Sequence, residues 1–191
     1  KKRFKVKIMA KILLINPVVR EEGVPKHVPY GIALLAAIAM DAGHLVQVYD
    51  ENAWRKGEEV LRSVLLADDW DIVGLGGITT SYGSVKNTTK IIRNTLPNVK
   101  ITLGGGVLTS MPHDIMNWLP EVDVGVIGEA FITFPEMLSM LDDKKSDWWK
   151  IPGTISRGTG SKLIVSPQRQ LIENLDSLPY PAWDLFPLEE I

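Results

Sequence analysis

The chain has 191 residues, of which 45% are hydrophobic, 23% charged and 7% aromatic, a composition that suits one α/β domain with a real core and excludes disordered or collagen-like chains. It contains no cysteine, which rules out disulfides, thiolate nucleophiles and a cysteine-held iron–sulfur cluster within these residues and fits a cytoplasmic protein. The formal net charge is -2, but six of the 21 basic residues fall in the first eleven positions, leaving 15 basic against 23 acidic side chains in the body, a balance that argues against nucleic acid as a partner.

Residues 1–10 read as a basic leader, with Lys1, Lys2, Arg3, Lys5 and Lys7, that is frayed and solvated. No apolar stretch and small-residue cleavage site follow it, so it is not a secretory signal. From position 11 onward, short hydrophobic runs alternate with amphipathic segments, the pattern of βαβ units around a parallel sheet. A strand is expected over 12–15, ending at Asn16 and Pro17, followed by a polar loop with Gly23, Pro25 and Pro29. The helix over 30–42 is apolar nearly all round, so it packs against the sheet, and Gly43 stops it. Its longest apolar run, from Ile32 to Met40, is too short to cross a bilayer. A second strand over 45–49 leads into a polar turn at Asp50, Glu51 and Asn52, then a helix over 58–67 with Val60, Leu61, Val64 and Leu65 on one face.

Strands over 71–75, 99–103 and 122–127 continue the alternation, with helices over 84–96, 112–118 and 131–141. After Pro152 the rhythm changes. Segments 153–157 and 162–165 form a hairpin around Gly158 and Gly160. From Pro167 the chain is an extended connector carrying Pro179, Pro181 and Pro187, expected to lead into a further domain. Trp118, Trp148, Trp149 and Trp183 read as core and linker packing in an acidic body rather than as a base-stacking surface.

The informative feature is where glycines and hydroxyls fall. The loops after the first, third, fourth and fifth strands carry Asn16 and Pro17, then Thr79, Thr80 and Ser81, then Gly104, Gly105 and Gly106, then Gly128 and Glu129. In an open parallel sheet these loops share the carboxyl edge, where ligands bind. Glycine lets a ligand approach the backbone, and hydroxyls add short donors and acceptors. A dinucleotide is poorly supported: the first loop lacks G-x-G-x-x-G, Thr79 stands where a third glycine would follow Gly74 and Gly76, and no P-loop occurs.

With these residues in place, the sequence resembles the cobalamin-binding domain at the N-terminus of B12-dependent radical-SAM enzymes. The matching pieces come in order. Residues 12–17, 29–36 and 42–44 resemble its opening strand and first helix, and 71–79 its third strand and hydroxyl loop. Leu103, Gly104, Gly105 and Thr109 resemble the diglycine loop, and Asp123 through Gly128 and Glu129, with Thr133 and Phe134, the D-x-x-x-x-G-E segment. Residues 151–153, 174–179 and 181–184 resemble the hairpin and linker before the radical-SAM barrel, so the likeness runs over 11–191.

The resemblance implies a flavodoxin-like, Rossmann-like three-layer domain with a five-stranded parallel sheet, plus a C-terminal β-hairpin and linker. It would hold cobalamin over the carboxyl edge. Thr79, Thr80 and Ser81 would contact the nucleotide tail between the hydroxyl and diglycine loops, Gly104, Gly105 and Gly106 would give it clearance, and Asn16, Pro17 and Thr109 would be further cofactor-binding residues. Gly128 and Glu129 would close the pocket. The domain organisation expected is then a leader over 1–10, a cobalamin-binding unit over 11–150, and a hairpin and linker over 151–191. S-adenosylmethionine and a [4Fe–4S] cluster would belong to the chain's own C-terminal radical-SAM domain, of methyltransferase or cyclase type, and no catalytic residue is assigned here.

Departures from the family qualify this. None of His27, His44 or His113 has Asp two positions before it, so the cobalt-ligating histidine of the D-x-H-x-x-G type is missing. His44 reads as structural, and His27 is the histidine whose loop can bring it to the corrin face. Val107 stands where relatives often carry histidine, and Ala130 where they often carry glycine. Two alternatives follow: a B12 fold that has lost its cofactor and serves as a scaffold, or a free-standing small-molecule sensor.

Overall fold

Residues 12–15, 72–75 and 101–103 are buried at every position, as expected of parallel strands covered on both faces. The computed structural model describes residues 9–22, 28–141, 147–158, 160 and 162–190. Five parallel strands form the sheet, in the order β2 (Leu45–Asp50), β1 (Lys11–Asn16), β3 (Ile72–Leu75), β4 (Lys100–Leu103) and β5 (Val124–Val126). The order 2-1-3-4-5 is the flavodoxin-like one, and it reverses direction between β1 and β3. The hairpin does not stand apart from this sheet. Strands β6 (Thr154–Arg157) and β7 (Leu163–Val165) continue it antiparallel, making seven strands, with Gly125 opposite Ile155. Arg157 fastens the hairpin: Nε donates to the Val122 carbonyl at 2.9 Å, and Nη2 to those of Leu119 at 2.9 Å and Met116.

Alternation along the strands sorts side chains between two layers. Leu13, Ile15, Val73 and Leu103 face α3 (Glu58–Leu65), α4 (Tyr82–Thr95), α5 (Gly106–Ser110) and α6 (Pro112–Trp118). Ile12, Leu14, Ile72, Val124 and Val126 face α1 (Tyr30–Asp41) and α7 (Ala130–Met140). Alanines 33, 36 and 39 let α1 lie close to the sheet, and Gly43, at φ +87°, follows its end. The expected polar turn after β2 is instead a four-residue helix, α2 (Glu51–Trp54), because the Asp50 carboxylate caps it by accepting the Ala53 N–H at 3.0 Å.

Beyond β7 the chain turns back over α7 and reaches α1. Arg169 pairs with Glu136, and Ala182 N–H donates to the Ala33 carbonyl at 3.0 Å. Trp183 meets Tyr30 and Phe186 with ring centroids 6.1 and 6.4 Å away, and Trp148 is buried, whereas Trp118 and Trp149 are about half exposed, away from the packing expected of them. Among the described residues no helix is long and apolar enough to cross a membrane.

Candidate functional site

The β1/β3 switch is where an open sheet leaves a crevice, because the crossovers on either side leave in opposite directions. A cleft of about 320 Å³ opens there, between the first turns of α1 and α7. Its floor is a row of the sheet in which Leu14 lies opposite Gly74 and Gly74 opposite Thr102, with Val126 beside them. Tyr30 and Ile32 wall it on one side and Phe131 and Phe134 on the other. Gly74 makes the row possible: a Cβ there would stand 2.8 Å from Leu14 Cδ2.

The site residues expected from sequence divide between the cleft and its supports. Asn16, Gly104, Gly105, Gly106, Gly128 and Glu129 line the cleft. Pro17, Thr79, Thr80, Ser81 and Thr109 do not. Ser81 is buried in a single 3₁₀ turn over Thr79–Ser81, where its hydroxyl accepts the Ile78 N–H and donates to the Ile78 carbonyl, so that Ile78, Gly76 and Gly77 present the cleft surface instead. Thr79 and Thr80 are exposed outside it. Thr109 is a brace, with Oγ1 accepting the Gly128 N–H at 3.0 Å and tying the fourth loop to the fifth. His27 lies outside the described residues. His44 is buried and structural, its Nδ1 accepting the Ala10 N–H at 3.2 Å. Val107 is fully buried in the core beneath the diglycine loop.

Sequence reasoning missed the device that holds the mouth. The buried Asp50 carboxylate accepts from Asn16 Nδ2 at 2.8 Å; since a carboxylate only accepts, the amide nitrogen faces it and Oδ1 is the other end. Asn52 Oδ1 accepts the Val19 N–H, and Arg55, left-handed at φ +46°, donates to the Arg20 and Glu21 carbonyls. Helix α2 thus clamps the loop that leaves β1. The signal available was an Asp-Glu-Asn run after a strand, a composition shared with ordinary turns. Sequence reasoning also missed Thr102, 5% exposed, whose Oγ1 is buried with no hydrogen-bond partner among the described residues.

An open 2-1-3-4-5 sheet with a glycine-lipped, largely apolar cleft at its switch point defines a Rossmann-like ligand-binding domain. A family profile describing the B12 binding domain matches residues 17–138, and the chain belongs to that family. It is 31% identical over 190 residues to an uncharacterized methyltransferase, PH0819, of Pyrococcus horikoshii, covering 97% of this chain and 40% of that protein. It is 28% identical to the anaerobic magnesium-protoporphyrin IX monomethyl ester cyclase of Synechocystis, over 94% of this chain and 37% of the cyclase. In structure it matches the radical S-adenosylmethionine methyltransferase TsrM of Kitasatospora setae, solved with cobalamin and a [4Fe–4S] cluster, at a TM-score of 0.73 and 18% identity, over 91% of this chain and 31% of TsrM. That likeness is one of fold. The chain spans about two fifths of the length of the curated relatives it matches.

Proposed function

We propose that this chain holds cobalamin at the carboxyl edge of its sheet, as the B12 module of a larger radical-SAM enzyme. The observation that carries the reading is the cleft itself: a floor kept open by Gly74, with a buried, partnerless hydroxyl on Thr102. Pockets for small molecules run from about 300 to 1,000 Å³, and this one is at the small end. It suits the nucleotide tail, leaving the corrin ring over the edge. Phe131 and Phe134 offer flat apolar walls, and Gly104 to Gly106 admit the tail past their backbone. Bound cobalamin supplies a cobalt centre that carries a methyl group or an electron. The residues here bind and orient it. S-adenosylmethionine and the [4Fe–4S] cluster fall to a radical-SAM domain outside this sequence, since the chain has no cysteine to hold a cluster. In this reading residues 11–150 are the cofactor-holding unit and 151–191 the hairpin and linker, and methyl transfer or cyclisation belongs to the whole protein.

A domain that had lost its cofactor would have its edge filled by side chains such as Met111 or Tyr82. Neither lines the cleft: Met111 is exposed, and Tyr82 packs edge-on against Trp118 with ring centroids 5.9 Å apart. That favours the cofactor-holding reading over the scaffold. The test is to mix the protein with hydroxocobalamin, separate by gel filtration and record the visible spectrum. A corrin band co-eluting with protein is expected, and its absence sinks the proposal.

A further inference from the structure

Thr102 is a polar residue that the fold does not use. It sits within β4, in register with Gly74 on one side and Val124 on the other. Other buried threonines are occupied: the Thr154 hydroxyl donates to the Trp148 and Ile151 carbonyls at 2.7 and 2.9 Å, and that of Thr133 to the Pro152 carbonyl at 3.2 Å. A buried hydroxyl without a partner lowers the stability of the folded chain, and valine has nearly the same shape without that cost. The hydroxyl therefore becomes favourable only when a polar atom joins it.

What joins it is constrained by the surroundings. Leu14, Val126 and Phe134 are apolar, so the fragment that reaches the floor is flat and largely apolar with a hydrogen-bonding atom. The space beside Thr102 is the one left by the missing Gly74 side chain, whose Cβ would stand 3.4 Å from Thr102 Cγ2. One step about χ1 brings the hydroxyl to the position its methyl now holds, beside that space, while the methyl moves to the third staggered position on Cβ.

We infer that Thr102 selects cobamides whose nucleotide base carries a free ring nitrogen, its hydroxyl donating to that nitrogen's lone pair. The inference rests on the cobalamin reading above.

Affinities of the wild type, Thr102→Val and Thr102→Ser test this with three probes. These are hydroxocobalamin, a cobamide whose phenol-derived base has no ring nitrogen, and cobinamide, which lacks the nucleotide tail. Thr102→Val is expected to weaken hydroxocobalamin roughly five- to tenfold and leave the other two unchanged, while Thr102→Ser stays near wild type. Without ligand, Thr102→Val is expected to melt at a higher temperature than wild type, the opposite sign from a merely structural role. Unchanged hydroxocobalamin binding by Thr102→Val, or equal loss for all three probes, overturns the inference. Wild-type binding of cobinamide as tightly as hydroxocobalamin also overturns it and leaves the cobalamin reading standing. Absence of all corrinoid binding by the wild type overturns both.

Discussion

The α-carbon of Gly105 is pressed against the backbone of Gly77, so that a Cβ built on Gly105 would stand 2.6 Å from the Gly77 carbonyl oxygen and 3.0 Å from its nitrogen. The same carbonyl accepts the Val107 N–H at 3.0 Å. The loops after β3 and β4 are therefore joined main chain to main chain. Gly105, at φ +80° and ψ −173°, also occupies a region open essentially to glycine alone. Gly105→Ala is expected to cost about 2–4 kcal/mol from strain and collision together. Urea unfolding reads this as a lower midpoint at unchanged slope. A loss within about 0.5 kcal/mol, the range of an ordinary surface change, contradicts the contact.

Gly74→Ala separates stability from binding. The added methyl meets Leu14 Cδ2 at 2.8 Å, the far end of a side chain that can turn away. Leu14 itself lines the cleft, so its displacement is expected to reshape the floor. The expected cost in stability is about 1 kcal/mol, at the mild end of overpacking. Hydroxocobalamin binding, followed by absorbance titration, is expected to fall at least tenfold. Full retention of affinity shows that nothing enters over this floor.

Glu51 gives the domain a pH dependence of determinate sign. Its carboxylate accepts the Thr88 hydroxyl at 2.9 Å, yet burial pushes its pKa up, only partly opposed by that bond. A carboxyl that holds its proton more tightly folded than unfolded subtracts stability once ionised. The subtraction is absent in acid, grows as pH climbs through and above the ordinary carboxylate range, and is complete beyond the folded-state value. Glu51→Gln is expected to be more stable than wild type at neutral pH and to lose that advantage in acid. Chemical denaturation across pH checks it; a constant difference between the two proteins disproves the assignment.

Trp183 anchors the returning C-terminal segment to α1 through Tyr30. Removing the indole takes away both ring contacts but leaves the Ala182 to Ala33 hydrogen bond. Trp183→Ala is expected to cost about 1–3 kcal/mol and to open the backbone around 181–186 to limited proteolysis, with the sheet unaffected. Peptide mapping of the first cleavage site decides it. Initial cuts elsewhere mean that the segment is held by something other than this ring.

The five parallel strands were legible because runs such as Ile12 to Ile15 can only be buried on both faces, and the glycine loops showed the edge. Two short helices were not. Helix α2 exists because one side chain, Asp50, closes its first turn, and α5 begins in a triple glycine whose propensity points the other way. At the site the loops after β1, β3, β4 and β5 meet around one cleft, but the hydroxyls of the loop after β3 do not line it. The hydroxyls of the third loop looked like ligand contacts, but Ser81 spends its hydroxyl on its own turn. Thr102 looked like part of a hydrophobic strand, and only the register places it beside Gly74 on the floor of the cleft.

The cleft is assembled from segments far apart in the chain, with Leu14 near one end of the domain and Phe134 near the other. No partly folded chain contains it, because its walls meet only after β1, β3, β4 and α7 have all docked. Ligand can therefore recognise only the finished domain. Added during refolding, it leaves the folding rate alone and slows unfolding, so occupancy is read in kinetic lifetime rather than in the speed of acquiring the fold.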